Sequence, residues 1–134
     1  MVTSEDNSQR KTIIVCDDQQ DILRACSLFL RRKYNLLTAR SGEECLAVYF
    51  DQMTKGTKVH VLLLDYQLGD MTAEDVARKI KESSWGTKII LITAYELNDL
   101  VMSKPFQENL IDSQLKKPFG LAELDRKILQ MLSD

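Results

Sequence analysis

Apolar positions fall into five short blocks along the chain, and helical spacing follows most of them. The first block, Thr12-Ile13-Ile14-Val15-Cys16, is an unbroken run of strand length, the pattern of a strand covered on both faces. Ile22, Leu23, Cys26, Phe29 and Leu30 then recur at helical spacing and predict an amphipathic helix over 20–32. Arg31, Arg32 and Lys33 at its end suit the negative pole of the helix dipole. A second strand is predicted over 34–39. Ser41-Gly42-Glu43-Glu44 reads as a capping box, Ser41 accepting from a first-turn amide and Glu44 reaching back. The helix it opens runs to about Met53.

A polar connector over 51–58 leads to Val59-His60-Val61-Leu62-Leu63-Leu64, the most apolar strand. Thr72 and Asp75 repeat the capping pattern, and Val76, Ala77 and Ile80 give a third helix its apolar face. Residues 83–86 break it. A fourth strand is predicted over 88–93, and a weaker fourth helix over 96–104 that Pro105 ends or bends. A short fifth strand over 113–116 precedes a final helix carried by Leu121, Leu124, Ile128, Met131 and Leu132. Alternating strands and helices in one unit predict an α/β fold: a doubly wound parallel sheet with helices on both faces. In such sheets ligands sit at the carboxyl ends of the strands.

Composition narrows the function. A length of 134 residues suits one domain, expected to occupy 11–134 behind a polar tail at 1–10. The balance of 18 basic against 20 acidic side chains argues against direct nucleic-acid binding, which needs an excess of Lys and Arg. No apolar run approaches the ~20 residues needed to span a bilayer, and the polar start resembles no secretory signal. A cytoplasmic domain without membrane contact is expected. Cys16, Cys26 and Cys45 lack metal or redox spacing and read as small buried hydrophobes. His60, the single histidine, has no second ligand near it in the sequence.

The chemistry gathers just past the strands. Asp17 and Asp18 follow the first, Asp65 ends the third, Thr93-Ala94 ends the fourth, and Lys116-Lys117-Pro118 follows the fifth. Taken singly each has a bland reading, Asp18 as a helix N-cap, Asp65 as a turn residue and Lys117 as a solvated charge. Together they place three carboxylates, a hydroxyl and an ammonium at one sheet edge. Crowded carboxylates repel unless a cation sits among them, and a hard divalent ion with oxygen ligands, Mg2+, is the economical one. One carboxylate can then act as nucleophile toward a phosphoryl group, with Lys and Thr serving the transferred oxygens.

In I-I-V-C-D-D, L-L-L-D-Y-Q-L, I-L-I-T-A and L-K-K-P-F, in that order, the chain resembles the receiver domain of two-component response regulators. The resemblance covers nearly everything from Lys11 onward. It implies a flavodoxin-like (βα)5 sheet of order 2-1-3-4-5 and phosphoryl transfer to Asp65 from a sensor histidine kinase or a histidine phosphotransfer protein. It makes Asp18 and Asp65 direct Mg2+ ligands, Asp17 a ligand through water, and the backbone carbonyl of Gln67 the remaining protein ligand. Thr93 becomes the switch hydroxyl and Lys117 the lysine that pairs with the phosphoryl group, with Lys116 out of register. A cis peptide is expected before Pro118. Apart from its own Mg2+-dependent phosphorylation and dephosphorylation, no enzyme activity is implied.

The departures are specific. Gly69 and Ala73 stand where the family commonly has proline and glycine, so the loop after Asp65 is expected to follow its own path. Gln114 replaces a frequent Tyr or Phe, and Gln67 and Tyr95 occupy positions that tune dephosphorylation in the family. The expected output is docking of a downstream protein near residues 96–134, by a stand-alone regulator that binds a partner or passes phosphate onward. Asp17-Asp18 at the first strand end would repel the phosphate of a flavin, and no P-loop motif is present. The remaining alternative is a phosphorylation-independent binding module. The intact Asp17, Asp18, Asp65, Thr93 and Lys117 argue against it.

Overall fold

A computed structural model describes residues 10–83, 86–94 and 109–133. Five strands form one parallel sheet: β1 (Thr12–Cys16), β2 (Asn35–Ala39), β3 (Val61–Asp65), β4 (Lys88–Thr93) and β5 (Ser113–Lys116). Their order is β2-β1-β3-β4-β5, as expected. Four helices lie among the described residues: α1 (Gln20–Leu30), α2 (Gly42–Thr54), α3 (Ala73–Glu82) and α4 (Leu121–Ser133). The tail at 1–9, the helix expected over 96–104 and Tyr95 lie outside the described residues.

The two-residue period of the strands divides the core into two layers. Ile13 and Val15 of β1 join Leu63, Ile90, Ile92 and Leu115 beneath α1 and α4, where Leu23, Leu30, Leu124 and Ile128 close the layer. Ile14 and Cys16 face the other way, with Leu62, Leu64, Ile89 and Leu91, beneath Tyr49 of α2 and Val76, Ala77 and Ile80 of α3. Every residue of β1 and β3 is buried, which is why these strands read as continuous apolar runs.

Element ends differ from expectation in instructive places. β3 runs from Val61 to Asp65 rather than over 59–64, because the ladder with β4 pairs Asp65 with Ile92. α1 ends at Leu30 with Arg31 as its C-cap, and no basic side chain occupies its last turn. Lys33 instead pairs with Asp125 of α4 at 3.1 Å. Ser41 caps α2 as expected, its Oγ accepting from the Glu44 amide at 3.0 Å, but Glu44 reaches back past the cap to the Arg40 amide. Thr72 caps α3 by accepting from the Asp75 amide.

All three cysteines are free and buried. Hydrogen bonding with Cys45 and burial push the Cys16 thiol up, and burial raises Cys26 to about 11, so both stay protonated at neutral pH. His60 sits at the amino edge of the sheet, far from the strand ends that carry the carboxylates. Its Nδ1 accepts from the Thr12 amide at 3.1 Å, which requires the neutral ring. Burial, with Lys11 and Lys58 nearby, lowers its pKa below the usual histidine value. A base depressed in the folded state binds fewer protons there than in the unfolded chain, so its stabilising contribution is present above about pH 6.5 and lost as pH falls through the lowered value. NMR titration of this single imidazole is expected to give a midpoint below 6.5, with the Thr12 amide shifting in step. A midpoint at or above 6.5 contradicts the assignment.

Candidate functional site

Strand register assembles the site. Cys16 pairs with Leu64, so the next residues, Asp17 and Asp65, leave β1 and β3 side by side. The parity that turns Val15, Leu63 and Leu115 toward the α1/α4 layer carries Asp17, Asp65 and Lys117 toward the same side. Thr93 ends β4 in register with Lys116, and its carbonyl accepts from the Lys117 amide at 2.7 Å. The Lys117–Pro118 peptide is cis, as expected.

One oxygen from each of Asp17, Asp18 and Asp65 lies within 4.8 Å of the others. Asp17 is fully buried, Asp65 is buried, and Asp18 is exposed. The bland reading of Asp18 as an N-cap is not what the structure has: Gln19 is the cap of α1 and makes no side-chain capping bond. Asp17 Oδ1 turns the chain there by accepting from the Gln19 amide at 2.8 Å. Lys117 Nζ enters from β5, 3.1 Å from Asp17 Oδ2 and 3.4 Å from Asp65 Oδ1. The contact with Asp17 is an ion pair by distance only, because Oδ2 receives no hydrogen bond. Lys116 is exposed beside it.

Thr93 is buried and lines a cleft of about 300 Å³ with Asp18, Gln19, Asp65, Tyr66, Gln67, Ala94 and Lys117. Gln67 is exposed at its rim, and its amide points to Asp65 Oδ1 at 3.4 Å. Every expected site residue except Tyr95, which is not described, therefore has a place in or beside this cleft. Gln19 was not foreseen. Its Oε1 accepts from Lys117 at 3.0 Å, and only its place directly after the aspartate pair hinted at a role. Gln114, at the position of the frequent aromatic, carries a buried Oε1 without a hydrogen bond.

Electrostatics favour a cation. Burial, then repulsion from Asp17, raises Asp65 to about 6, against the opposing pull of Lys117 and the Gln67 amide. The donor set suits a hard ion: among the described residues it has three carboxylates, one with a buried oxygen lacking any hydrogen bond, against the single ammonium of Lys117. Among the described residues, the carboxylates thus outnumber the lysine that reaches them, Lys117.

The response regulator receiver domain family matches residues 13–129, and the chain belongs to that family. A Haloferax volcanii protein is 27% identical over 129 residues, 96% of this chain and 20% of its own length. TcrX of Mycobacterium tuberculosis is 26% identical over 128 residues, 94% of this chain and 51% of its own. The chain thus spans about a fifth and about half of these two curated relatives. The BeF3-activated receiver domain of DrrB, a Thermotoga maritima protein, superposes with a TM-score of 0.76 at 27% identity, covering 94% of this chain and 100% of that one. No helix among the described residues is long and apolar enough to cross a membrane.

A carboxyl raised in the folded state binds its proton more tightly there than in the unfolded chain. Without metal, the contribution of Asp65 to stability is therefore expected to fall as pH rises from about 4 through about 6, opposite in sign to that of His60. The loss attributable to Asp65 is about 1–2 kcal/mol once solvent screening is allowed for. Asp65→Asn is expected to remove this contribution from the pH dependence and raise the melting temperature at pH 7 in EDTA by several degrees. Denaturant unfolding between pH 4 and 8 checks it; an unchanged pH dependence in the variant contradicts the electrostatic account.

Proposed function

We propose that this receiver domain, taken as residues 11–134 with 1–10 as a polar tail, accepts a phosphoryl group on Asp65 from a sensor histidine kinase or a histidine phosphotransfer protein. The observation that carries this reading is the reach of Lys117 into a cluster of three carboxylates beside Thr93. Asp18 and Asp65 would hold Mg2+ directly, Asp17 through water, and Gln67 through its backbone carbonyl. Bound there, the ion supplies positive charge against which the carboxylate and the phosphoryl oxygens can approach each other.

In the transfer, a carboxylate oxygen of Asp65 forms a bond to phosphorus as the nitrogen–phosphorus bond of the phosphohistidine breaks. The electron pair of that bond stays on the imidazole nitrogen, so the donor leaves as histidine and Asp65 as an acyl phosphate. Lys117, already between Asp17 and Asp65, pairs its ammonium with a phosphoryl oxygen. Thr93 donates its hydroxyl to another. Ala94, small and exposed in the cleft, would leave the phosphoryl group reachable by the donor, and Gln67 is exposed at the rim.

Phosphorylation replaces the single charge of the Asp65 carboxylate with about two on the phosphoryl group, next to Thr93 at the end of β4 and Lys117 just past β5. Their response is the local event that biases a docking surface near residues 96–134 for a downstream protein. No activity beyond this self-phosphorylation and its reversal is proposed, and the cytoplasm is the compartment where such donors act.

Intact-mass spectrometry after incubation with acetyl phosphate tests the reading. The wild type is expected to gain one phosphoryl group with Mg2+ and none in EDTA, and Asp65→Asn to gain none in either. Lys117→Ala is expected to reduce incorporation by at least tenfold while the chain remains folded. A wild type that folds and binds Mg2+ but gains nothing, from acetyl phosphate or a phosphorylated phosphotransfer protein, contradicts the proposal.

A further inference from the structure

The loop between β3 and α3 carries Gln67, and at its far end it is fastened to a different helix. Asp70 Oδ1 accepts from the Gly42 amide and Oδ2 from the Glu43 amide, each at 2.9 Å. With the Ser41 cap on Glu44, the first three amides of α2 all have acceptors, two of them supplied by a loop distant in sequence. These amides hold the Asp70 carboxyl below the usual carboxylate range. The bonds are charge-assisted and lie on the positive pole of the helix.

The surrounding chain is shaped for this contact. Gly42 lets the loop come close: a β-carbon there would lie 3.0 Å from both Cβ and Sδ of Met71. Gly69, just before Asp70, has φ +91, a conformation closed to proline, whose ring holds φ near −65. An antiparallel bridge between Gln67 and Thr72 closes the turn. Leu68 is buried in the α2/α3 layer and Met71 packs against it. The turn 67–72 is therefore a short closed unit, with Gln67 at one end and the Asp70 clip near the other.

We propose that Asp70 is a positioning residue for the metal site: by binding two amides of α2 it fixes the turn 67–72 and so the backbone carbonyl of Gln67. The inference rests on the reading that this carbonyl is a Mg2+ ligand. An outer partner that orients a ligand is commonly worth tenfold or more in metal affinity. Because Asp70 never touches the ion, its loss moves the half-saturating Mg2+ concentration and leaves chemistry at saturation intact.

Calorimetric titration with Mg2+, well below the melting temperature, tests this on four variants. Asp70→Ala is expected to raise half-saturation about tenfold, and Asp70→Asn, which keeps one acceptor, by less. Gly42→Ala leaves Asp70 in place but pushes Met71 away, and is expected to weaken Mg2+ in the same direction. Ser41→Ala removes the third cap of α2 without touching the turn; it is expected to lower the melting temperature and leave half-saturation unchanged. At saturating Mg2+, phosphoryl incorporation by Asp70→Ala is expected within about twofold of the wild type.

Wild-type half-saturation in Asp70→Asn and Gly42→Ala overturns the positioning role, as does a weakening by Ser41→Ala equal to that of Asp70→Ala. A wild type that binds no Mg2+ overturns the proposed function as well, which separates the two failures.

Discussion

Among the described residues, three carboxylates share one ammonium at the carboxyl edge of the sheet, and the rest of the site is arranged around that imbalance. Lys117 lies between Asp17 and Asp65 and takes a further acceptor from Gln19, yet a buried oxygen of Asp17 still lacks a hydrogen bond. Unpaired buried charge is costly, and the raised pKa of Asp65 is one expression of that cost. A divalent cation held by these carboxylates would relieve it. In the proposed reading, the same excess of negative charge that destabilises this edge would supply a nucleophile once the cation is bound.

The fold makes this arrangement possible by supporting it from outside. Asp17 and Asp65 emerge from β1 and β3, strands buried along their whole length between two helical layers. Such a core resists displacement, so the carboxylates cannot drift apart to lessen their repulsion. Lys117 arrives from β5, across β4, with its amide bonded to Thr93. The β3–α3 turn is tied in turn to the start of α2 through Asp70. Helix ends, strand ends and one glycine contact thereby act on a single cleft.

Much of this was legible in the chain because its causes are local or periodic. The buried runs of β1 and β3, the helical stripes of α1 and α4 and the caps Ser41 and Thr72 all act within a few residues. Asp17, Asp18, Asp65, Thr93 and Lys117 could be gathered because parallel order puts every strand's carboxyl end on one edge. What escaped depends on contacts between distant segments. The Asp65 pairing with Ile92 moved β3 toward the site, Lys33 left the α1 dipole for Asp125, and Gln19 turned to Lys117. Asp70 as a cap for α2 had no sequence signal, since the helix it serves begins 28 positions earlier. Gly69, where the family commonly has proline, takes a positive φ that proline cannot adopt.

The most direct measurement is the number of protons released when Mg2+ binds, from calorimetry at pH 6 in two buffers of different ionisation enthalpy, repeated at pH 8. With Asp65 near 6 and a ligand that must be ionised, the account predicts release of about half a proton at pH 6 and almost none at pH 8. Mg2+ binding with no proton release at pH 6, or release undiminished in Asp65→Asn, would contradict the claim that carboxylate crowding at Asp65 is what the cation relieves.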